Sequence, residues 1–111
     1  MIRHRGYNIS SFEIEAAVLG LDGVQEAAAV GVASDRGPHE HDILVSIVLA
    51  PGADLPPEAV VDRCTRQLPR YAVPRYVAIV PELPKTQTEK VRKVALRDRG
   101  VPAGAWDRLT S

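Results

Sequence analysis

The chain has 111 residues, enough for one domain with a modest core but small for an enzyme that must enclose two substrates. Its 14 basic and 14 acidic side chains cancel, which argues against the basic surface that nucleic acids or anionic membranes attract. Hydrophobic residues make up 45% of the sequence, a globular value that argues against extensive disorder.

The first part of the chain predicts a hairpin followed by a helix. Residues 2–9, IRHRGYNI, alternate around one glycine, which indicates two short strands and a tight turn. Ser10 and Glu13 have the spacing of a helix cap, and Ile9 and Ile14 have that of a hydrophobic staple. The apolar stripe of this helix consists of Ile14, Ala17, Val18 and Leu21.

The middle of the chain predicts two strands and a second helix. Residues 24–32, VQEAAAVGV, favour a strand, and residues 43–49, ILVSIVL, fit a strand covered on both faces. The segment between them, ASDRGPHEHD, has the composition of a polar loop. A helix is expected from Pro57 to Leu68, and its inner side consists of Val60, Val61, Cys64 and Leu68.

The last part of the chain predicts a strand over residues 75–80, RYVAIV, and a third helix from Lys90 to about Arg97. The inward side chains of this helix are Val91, Val94 and Ala95. Glycines and prolines beyond it predict an irregular tail over residues 99–111, docked by Trp106 and Leu109.

This order of elements predicts an α+β fold in which a small β-sheet and an N-terminal hairpin are flanked by about three helices. We place the domain at residues 1–98. No apolar run approaches the roughly 20 residues of a membrane-spanning helix, and the N-terminus lacks the apolar segment of a secretory signal, so we expect a cytoplasmic protein. Cys64 lies in a helical apolar pattern and is expected to be a buried structural thiol.

All three lysines of the chain, Lys85, Lys90 and Lys93, fall in one segment, LPKTQTEKVRK. From the residues alone, a solvated loop that enters a basic helix explains this segment. The segment contains hydroxyls but lacks the glycines of a phosphate-cradling loop. The stretch PHEHD does not by itself complete a metal-ligand set, and we expect no metal site.

Two segments together resemble one family. IRHRGYNISSFEIE is similar to the glycine-containing loop that opens the C-terminal domain of adenylate-forming enzymes, and LPRYAVPRYVAIVPELPKTQTEKVRK is similar to that domain's closing motif. The likeness runs from Ile2 to about Arg97. The family comprises acyl-CoA synthetases, adenylation domains and luciferases, so residues 1–98 are identified as an AMP-binding enzyme C-terminal domain.

The resemblance implies a two-step activity. A carboxylate attacks ATP to give an acyl-adenylate and pyrophosphate, and the thiol of coenzyme A then takes the acyl group. ATP, the acyl group and Mg²⁺ are bound mainly by a larger N-terminal domain, which would be the partner of this chain. We therefore expect the isolated chain to be inactive and its acyl substrate to be unreadable from these residues.

The resemblance also implies site residues. The family's catalytic lysine falls on Lys90, and the glycine beside its pantetheine channel falls on Gly6. A missing side chain suits a position where a narrow thiol arm passes close to the backbone. The remaining candidates for contact with coenzyme A, mostly arginines whose guanidinium forks match phosphate oxygens, are Arg3, Arg5, Tyr7, Arg70 and Arg75.

The sequence departs from the family pattern at three places. Glu89 stands where many members have a glycine before the lysine, Tyr7 stands where many have an acidic residue, and the family's hinge residue would precede Met1. Two alternatives stay open beside the acyl-CoA synthetase. The domain could serve an adenylation domain that loads a carrier protein, or it could be a non-enzymatic interaction module.

Overall fold

A computed structural model describes residues 2–4, 7–34 and 37–110, without the side chains of residues 3, 4, 7 and 37–39. Six strands and three α-helices follow one another within these ranges. In chain order they are β1 (Ile2–His4), β2 (Tyr7–Ile9), α1 (Ser11–Leu19), β3 (Val24–Ser34), β4 (Gly37–Leu49), α2 (Pro57–Gln67), β5 (Tyr76–Ile79), α3 (Lys93–Arg99) and β6 (Trp106–Asp107). A single 3₁₀ turn, Arg70–Ala72, precedes β5.

The main sheet has four strands in the order β3-β4-β5-β6. β4 is antiparallel to β3 and parallel to β5, and β6 is antiparallel to β5. Parallel neighbours need a crossover connection, and α2 provides it between β4 and β5. β1 and β2 pair separately as the N-terminal hairpin. The predicted α+β class, a small sheet with a hairpin and three helices, is confirmed.

Strand β4 forms the centre of the core because both of its faces are covered. Leu44 packs in a cluster with Leu96 of α3, while Val45 packs with Val18 of α1 and Val60 of α2. All of these side chains except Leu96, at 8%, are at most 1% exposed. The prediction that this strand is covered on both faces is confirmed, and the sheet lies between α1 and α2 on one side and α3 on the other.

The N-terminal hairpin closes one end of the core. Ile2 and Ile9 lie in one cluster with Ile14 of α1 and Ile43 of β4. The predicted staple pair, Ile9 and Ile14, therefore shares a buried environment. Ser10 occupies the N-cap position, but its side chain makes no capping hydrogen bond, so only the position of the predicted cap is confirmed.

The polar stretch between β3 and β4 differs from its prediction. β3 extends to Ser34 and β4 begins at Gly37, so most of the predicted loop belongs to a long antiparallel hairpin. Ala33 pairs with His41, and the ladder shifts register between Ala33 and Ser34. Backbone hydrogen bonding across the ladder outweighs the unfavourable composition.

The lysine-rich segment differs as well, because α3 begins at Lys93 and not at Lys90. The preceding residues form a narrow hairpin in which Lys85 pairs with Val91. The Arg92 N–H donates to the Pro84 carbonyl at 2.8 Å. Because the helix starts later, different side chains face the core. The prediction that Val94 points inward is wrong, since this side chain is 59% exposed, and Leu96 is buried instead.

Arg75 joins β4, β5 and the C-terminal tail. Its Nη1 lies 2.9 Å from Asp42 Oδ2, and its Nε lies 3.1 Å from Asp107 Oδ1. Asp42 is only 2% exposed, so the guanidinium supports a buried carboxylate. Asp107 belongs to β6 beside Trp106, which packs against the core as predicted. The predicted docking of Leu109 is wrong, because that side chain is 59% exposed.

Replacing Arg75 tests this ion-pair network. Arg75→Ala takes the guanidinium away from the buried Asp42 carboxylate, so the free energy of unfolding should fall by about 3 kcal/mol in urea titrations. The matched control is Arg66→Ala, which breaks the exposed pair with Asp62 on α2 and should cost less than ~0.5 kcal/mol. Equal losses in the two variants would contradict a structural role for Arg75.

The same network predicts a dependence on pH. The hydrogen bond from Arg75 holds the pKa of Asp107 below its ordinary value. A lowered pKa in the folded state adds stability above the unfolded pKa, near ~4, and this stability is lost as the pH falls through the folded value. Asp107→Asn should therefore flatten the loss of stability on acidification below about pH 4, measured by denaturant titration at several pH values.

The backbone of Glu89 has a left-handed conformation, from which a change in stability can be predicted. It has a φ of 65°, the only non-glycine positive φ found in the described ranges. Side chains in this left-handed region cost roughly 1–2 kcal/mol, which glycine avoids. Glu89→Gly should raise the free energy of unfolding by up to ~1 kcal/mol, after the extra entropy of glycine in the unfolded chain is subtracted.

Glu89→Ala is the matched control, because it removes the carboxylate and keeps the side-chain penalty. If both variants gained the same stability, charge and not backbone conformation would be the cause. The position explains in physical terms why a glycine is suited to this place in the loop.

Candidate functional site

The three clustered lysines have different environments in the folded chain. Lys85 Nζ lies 2.7 Å from Glu26 Oε1 on β3, and Lys93 Nζ lies 2.6 Å from Glu15 Oε2 on α1. Lys90 is exposed and forms no ion pair with any residue that the structure describes. Among the three, Lys90 is the ammonium group available to meet an external anion.

The two paired lysines hold the segment to the rest of the fold. Lys93 also donates to Ser11 Oγ at 2.9 Å and lies 5.2 Å above the ring of Phe12. Its partner Glu15 accepts the Ala29 N–H of β3 at 2.8 Å. The hydrogen bond to Glu26 raises the pKa of Lys85. These contacts attach the hairpin and α3 to α1 and β3.

Lys90 lies at the exposed end of the hairpin, and the opposite end of the hairpin is attached to the core. Leu83, which begins the segment, is 3% exposed and belongs to the core. The bridge between Lys85 and Val91 closes the base, and every side chain from Thr86 to Lys90 is exposed. A long flexible ammonium side chain therefore extends from a short loop whose ends are attached to the core.

The glycine-loop candidates are only partly described. Arg5 and Gly6 lie outside the described residues, and the same holds for the side chains of Arg3 and Tyr7. The backbone places Arg3 opposite Asn8 and Tyr7 opposite His4 in the β1–β2 hairpin. In sequence, Arg5 and Gly6 connect these two strands. The roles of all four residues stay predictions.

The two other arginine candidates have contrasting positions. Arg70 is exposed at the start of the 3₁₀ turn. Arg75 has Nε, Nη1 and Nη2 hydrogen-bonded to Asp107 and Asp42, so a phosphate at this guanidinium would compete with two carboxylates. The structure brings neither arginine into the lysine hairpin.

The sequence alone does not indicate the acidic partners of the cationic residues, which are Asp42, Asp107, Glu15 and Glu26. Asp42 falls in the predicted polar loop, whereas the structure has it in β4, two residues before the buried Leu44. Glu15 is 78 positions from Lys93 and no periodic signal connects them. A correct start for β4 is the signal that would have identified Asp42 as buried.

Two further features limit the chemistry of the described residues. They contain no group of three or more His, Cys, Asp or Glu side chains that could hold a metal ion. Cys64 is fully buried, as predicted for a structural thiol, and burial raises its pKa to about 11. The thiol therefore stays protonated near neutral pH and is a poor nucleophile.

A helix long and apolar enough to cross a membrane is not found in the part of the chain that the structure describes.

The family model of the AMP-binding enzyme C-terminal domain matches residues 13–90. This match covers most of the chain and ends at Lys90.

Relatives and solved structures agree with that match. The chain is 40% identical over 98 residues to a long-chain-fatty-acid–CoA ligase of Escherichia coli O157:H7, covering 88% of the chain and 17% of the relative. It is 34% identical over 102 residues to the peroxisomal trans-cinnamate:CoA ligase of Petunia hybrida, covering 92% and 18%.

A Mycobacterium tuberculosis fatty acyl CoA synthetase superposes on the chain with a TM-score of 0.81 and 27% identity. The superposition covers 89% of the chain and 19% of the synthetase. The chain thus spans under a fifth of the length of each of these three proteins. The family match and these likenesses show that the chain belongs to the C-terminal domains of adenylate-forming enzymes, in the branch that includes the acyl-CoA synthetases.

Proposed function

We propose that this chain acts as the C-terminal lid domain of an ATP-dependent acyl-CoA synthetase. The complete enzyme would convert a carboxylate, ATP and coenzyme A into acyl-CoA, AMP and pyrophosphate. The observation that carries the proposal is the exposed Lys90, which forms no ion pair among the described residues while Lys85 and Lys93 are both paired. This is the arrangement that a cation needs in order to enter a reaction centre on another domain.

The chemistry gives Lys90 a definite role. When the carboxylate oxygen attacks the α-phosphorus, negative charge increases on the phosphoryl oxygens. An ammonium group on a flexible stem can follow this charge as a movable point charge. Its stabilisation of the transition state would be largest in the dry interface between two domains, where electrostatic interactions are strong. Lys90 would thus act in adenylate formation.

The thioester-forming step would use the other end of the sequence. Gly6 would border the channel of the pantetheine arm, where a side chain would obstruct the thiol. Arg3, Arg5, Tyr7 and Arg70 would contact the remainder of coenzyme A, with the arginines on its phosphates. Arg75 is less available to a phosphate because its nitrogens already contact Asp42 and Asp107. The domain would adopt one pose for each step.

The rest of the enzyme would bind ATP, the acyl group and Mg²⁺, so the isolated chain would be inactive. The described residues contain no cluster of side chains suited to a metal ion. We propose the cytoplasm as the location, although one relative is named as peroxisomal. The names of the three compared proteins favour coenzyme A as the acceptor over a carrier protein.

The test of Lys90 uses a chimera that joins this chain to the N-terminal part of the Escherichia coli ligase. Lys90→Ala should slow formation of the acyl-adenylate by roughly 10²–10³, the loss typical of one preorganised electrostatic donor. It should leave the reaction of synthetic acyl-adenylate with coenzyme A unchanged. Pyrophosphate release and thioester formation are measured separately.

Arg99→Ala, which removes an exposed positive charge from α3, is the control and should keep both rates. Intact adenylate formation in Lys90→Ala would refute the proposed role. A chimera that makes no acyl-adenylate, assayed beside an active Escherichia coli ligase, would also refute the proposal.

The test of Gly6 is the converse experiment. Gly6→Leu should spare adenylate formation and slow the attack of coenzyme A on synthetic acyl-adenylate, because the side chain would narrow the thiol channel. Gly6→Ala provides a graded comparison and should have a smaller effect. If Gly6→Leu slowed both half-reactions equally, the proposal that Gly6 serves only the thioester-forming step would be wrong.

A further assay replaces coenzyme A by a phosphopantetheinyl carrier protein and thereby identifies the acceptor.

A further inference from the structure

Both backbone polar groups of Lys90 are bound by one residue, Thr86. The Thr86 N–H donates to the Lys90 carbonyl at 2.8 Å. The Lys90 N–H donates to Thr86 Oγ1 at 3.2 Å. One bond needs only the backbone of Thr86, but the other needs its hydroxyl group. Residue 86 therefore contributes to the position of Lys90 through its side-chain chemistry.

The remaining groups of Thr86 serve the same loop. Its carbonyl accepts the Glu89 N–H at 3.0 Å, and its hydroxyl lies 3.1 Å from the hydroxyl of Thr88. The side chains between Thr86 and Lys90 are all exposed, so apolar burial contributes little to the order of this tip. Its conformation depends on these hydrogen bonds and on the left-handed backbone at Glu89.

We propose that Thr86 is the positioning residue for Lys90, an inference that rests on the proposed function. Its hydroxyl fixes the Lys90 backbone while the lysine side chain stays free to move. Thr86 touches no reacting atom. Its loss would spread the ammonium group over more positions and reduce the fraction of enzyme aligned for the attack on ATP.

The first test measures the hydrogen bond itself on the 111-residue chain. Thr86→Val keeps the shape of the side chain and removes the acceptor, so exchange of the Lys90 amide proton, followed by NMR, should accelerate by about 2- to 10-fold, the value of one net hydrogen bond. Thr86→Ser retains the hydroxyl and should match the original chain.

Thr65→Val is the control, because the Thr65 hydroxyl donates to Val61 within α2. It should leave the exchange of the Lys90 amide unchanged. Unaltered exchange in Thr86→Val would overturn the inference.

The second test measures both half-reactions in the chimera. Thr86→Val should slow adenylate formation by about 2- to 10-fold and spare the reaction of synthetic acyl-adenylate with coenzyme A, while Thr86→Ser restores the first rate. General destabilisation would slow both half-reactions, and that result would contradict a positioning role.

The outcome for Lys90→Ala separates the two proposals. If that variant slows adenylate formation while Thr86→Val equals the original chain, the inference about Thr86 fails and the proposed function stands. If Lys90→Ala has no effect, the proposed function fails, and the amide exchange still decides whether Thr86 holds the Lys90 backbone.

Discussion

The burial of β4 on both faces is the constraint on which the rest of the structure depends. A strand with Leu44 on one side and Val45 on the other, both at most 1% exposed, requires apolar cover on each side of the sheet. Helices α1 and α2 cover one face, and α3 covers the other. The position of α3 in turn determines where the preceding lysine hairpin leaves the core.

Charge is distributed on this scaffold according to burial. Arg75 faces the buried Asp42 and the β6 residue Asp107, so its cation is used within the fold. Lys85 and Lys93 connect the hairpin and α3 to β3 and α1 through Glu26 and Glu15. Lys85 and Lys93 are therefore neutralised by partners within the fold, whereas Lys90 is exposed and forms no ion pair among the described residues.

An exposed cation on a loop that is attached to the core is also the form that the proposed chemistry requires. Under the proposed function, negative charge on the phosphoryl oxygens would increase only as the acyl-adenylate forms, so Lys90 would contribute in one pose of the domain and be withdrawn in the other. Two hydrogen bonds join the Lys90 backbone to Thr86, one to its N–H and one to its hydroxyl, while the side chain of Lys90 is exposed.

The sequence by itself determined the α+β class, the central parts of β3, β4, α1 and α2, and the family. These features depend on hydrophobic periodicity and sequence motifs, which are formed by residues close together in the chain. The sequence misplaced the start of β4 and the start of α3, since ladder pairing and hairpin closure join residues that are distant in the chain. Only the tertiary structure decided that Asp42 is buried against Arg75 and that Lys85 and Lys93 are paired while Lys90 is exposed. Ion pairing depends on distances in space, and these distances exist only after the sheet and helices have packed.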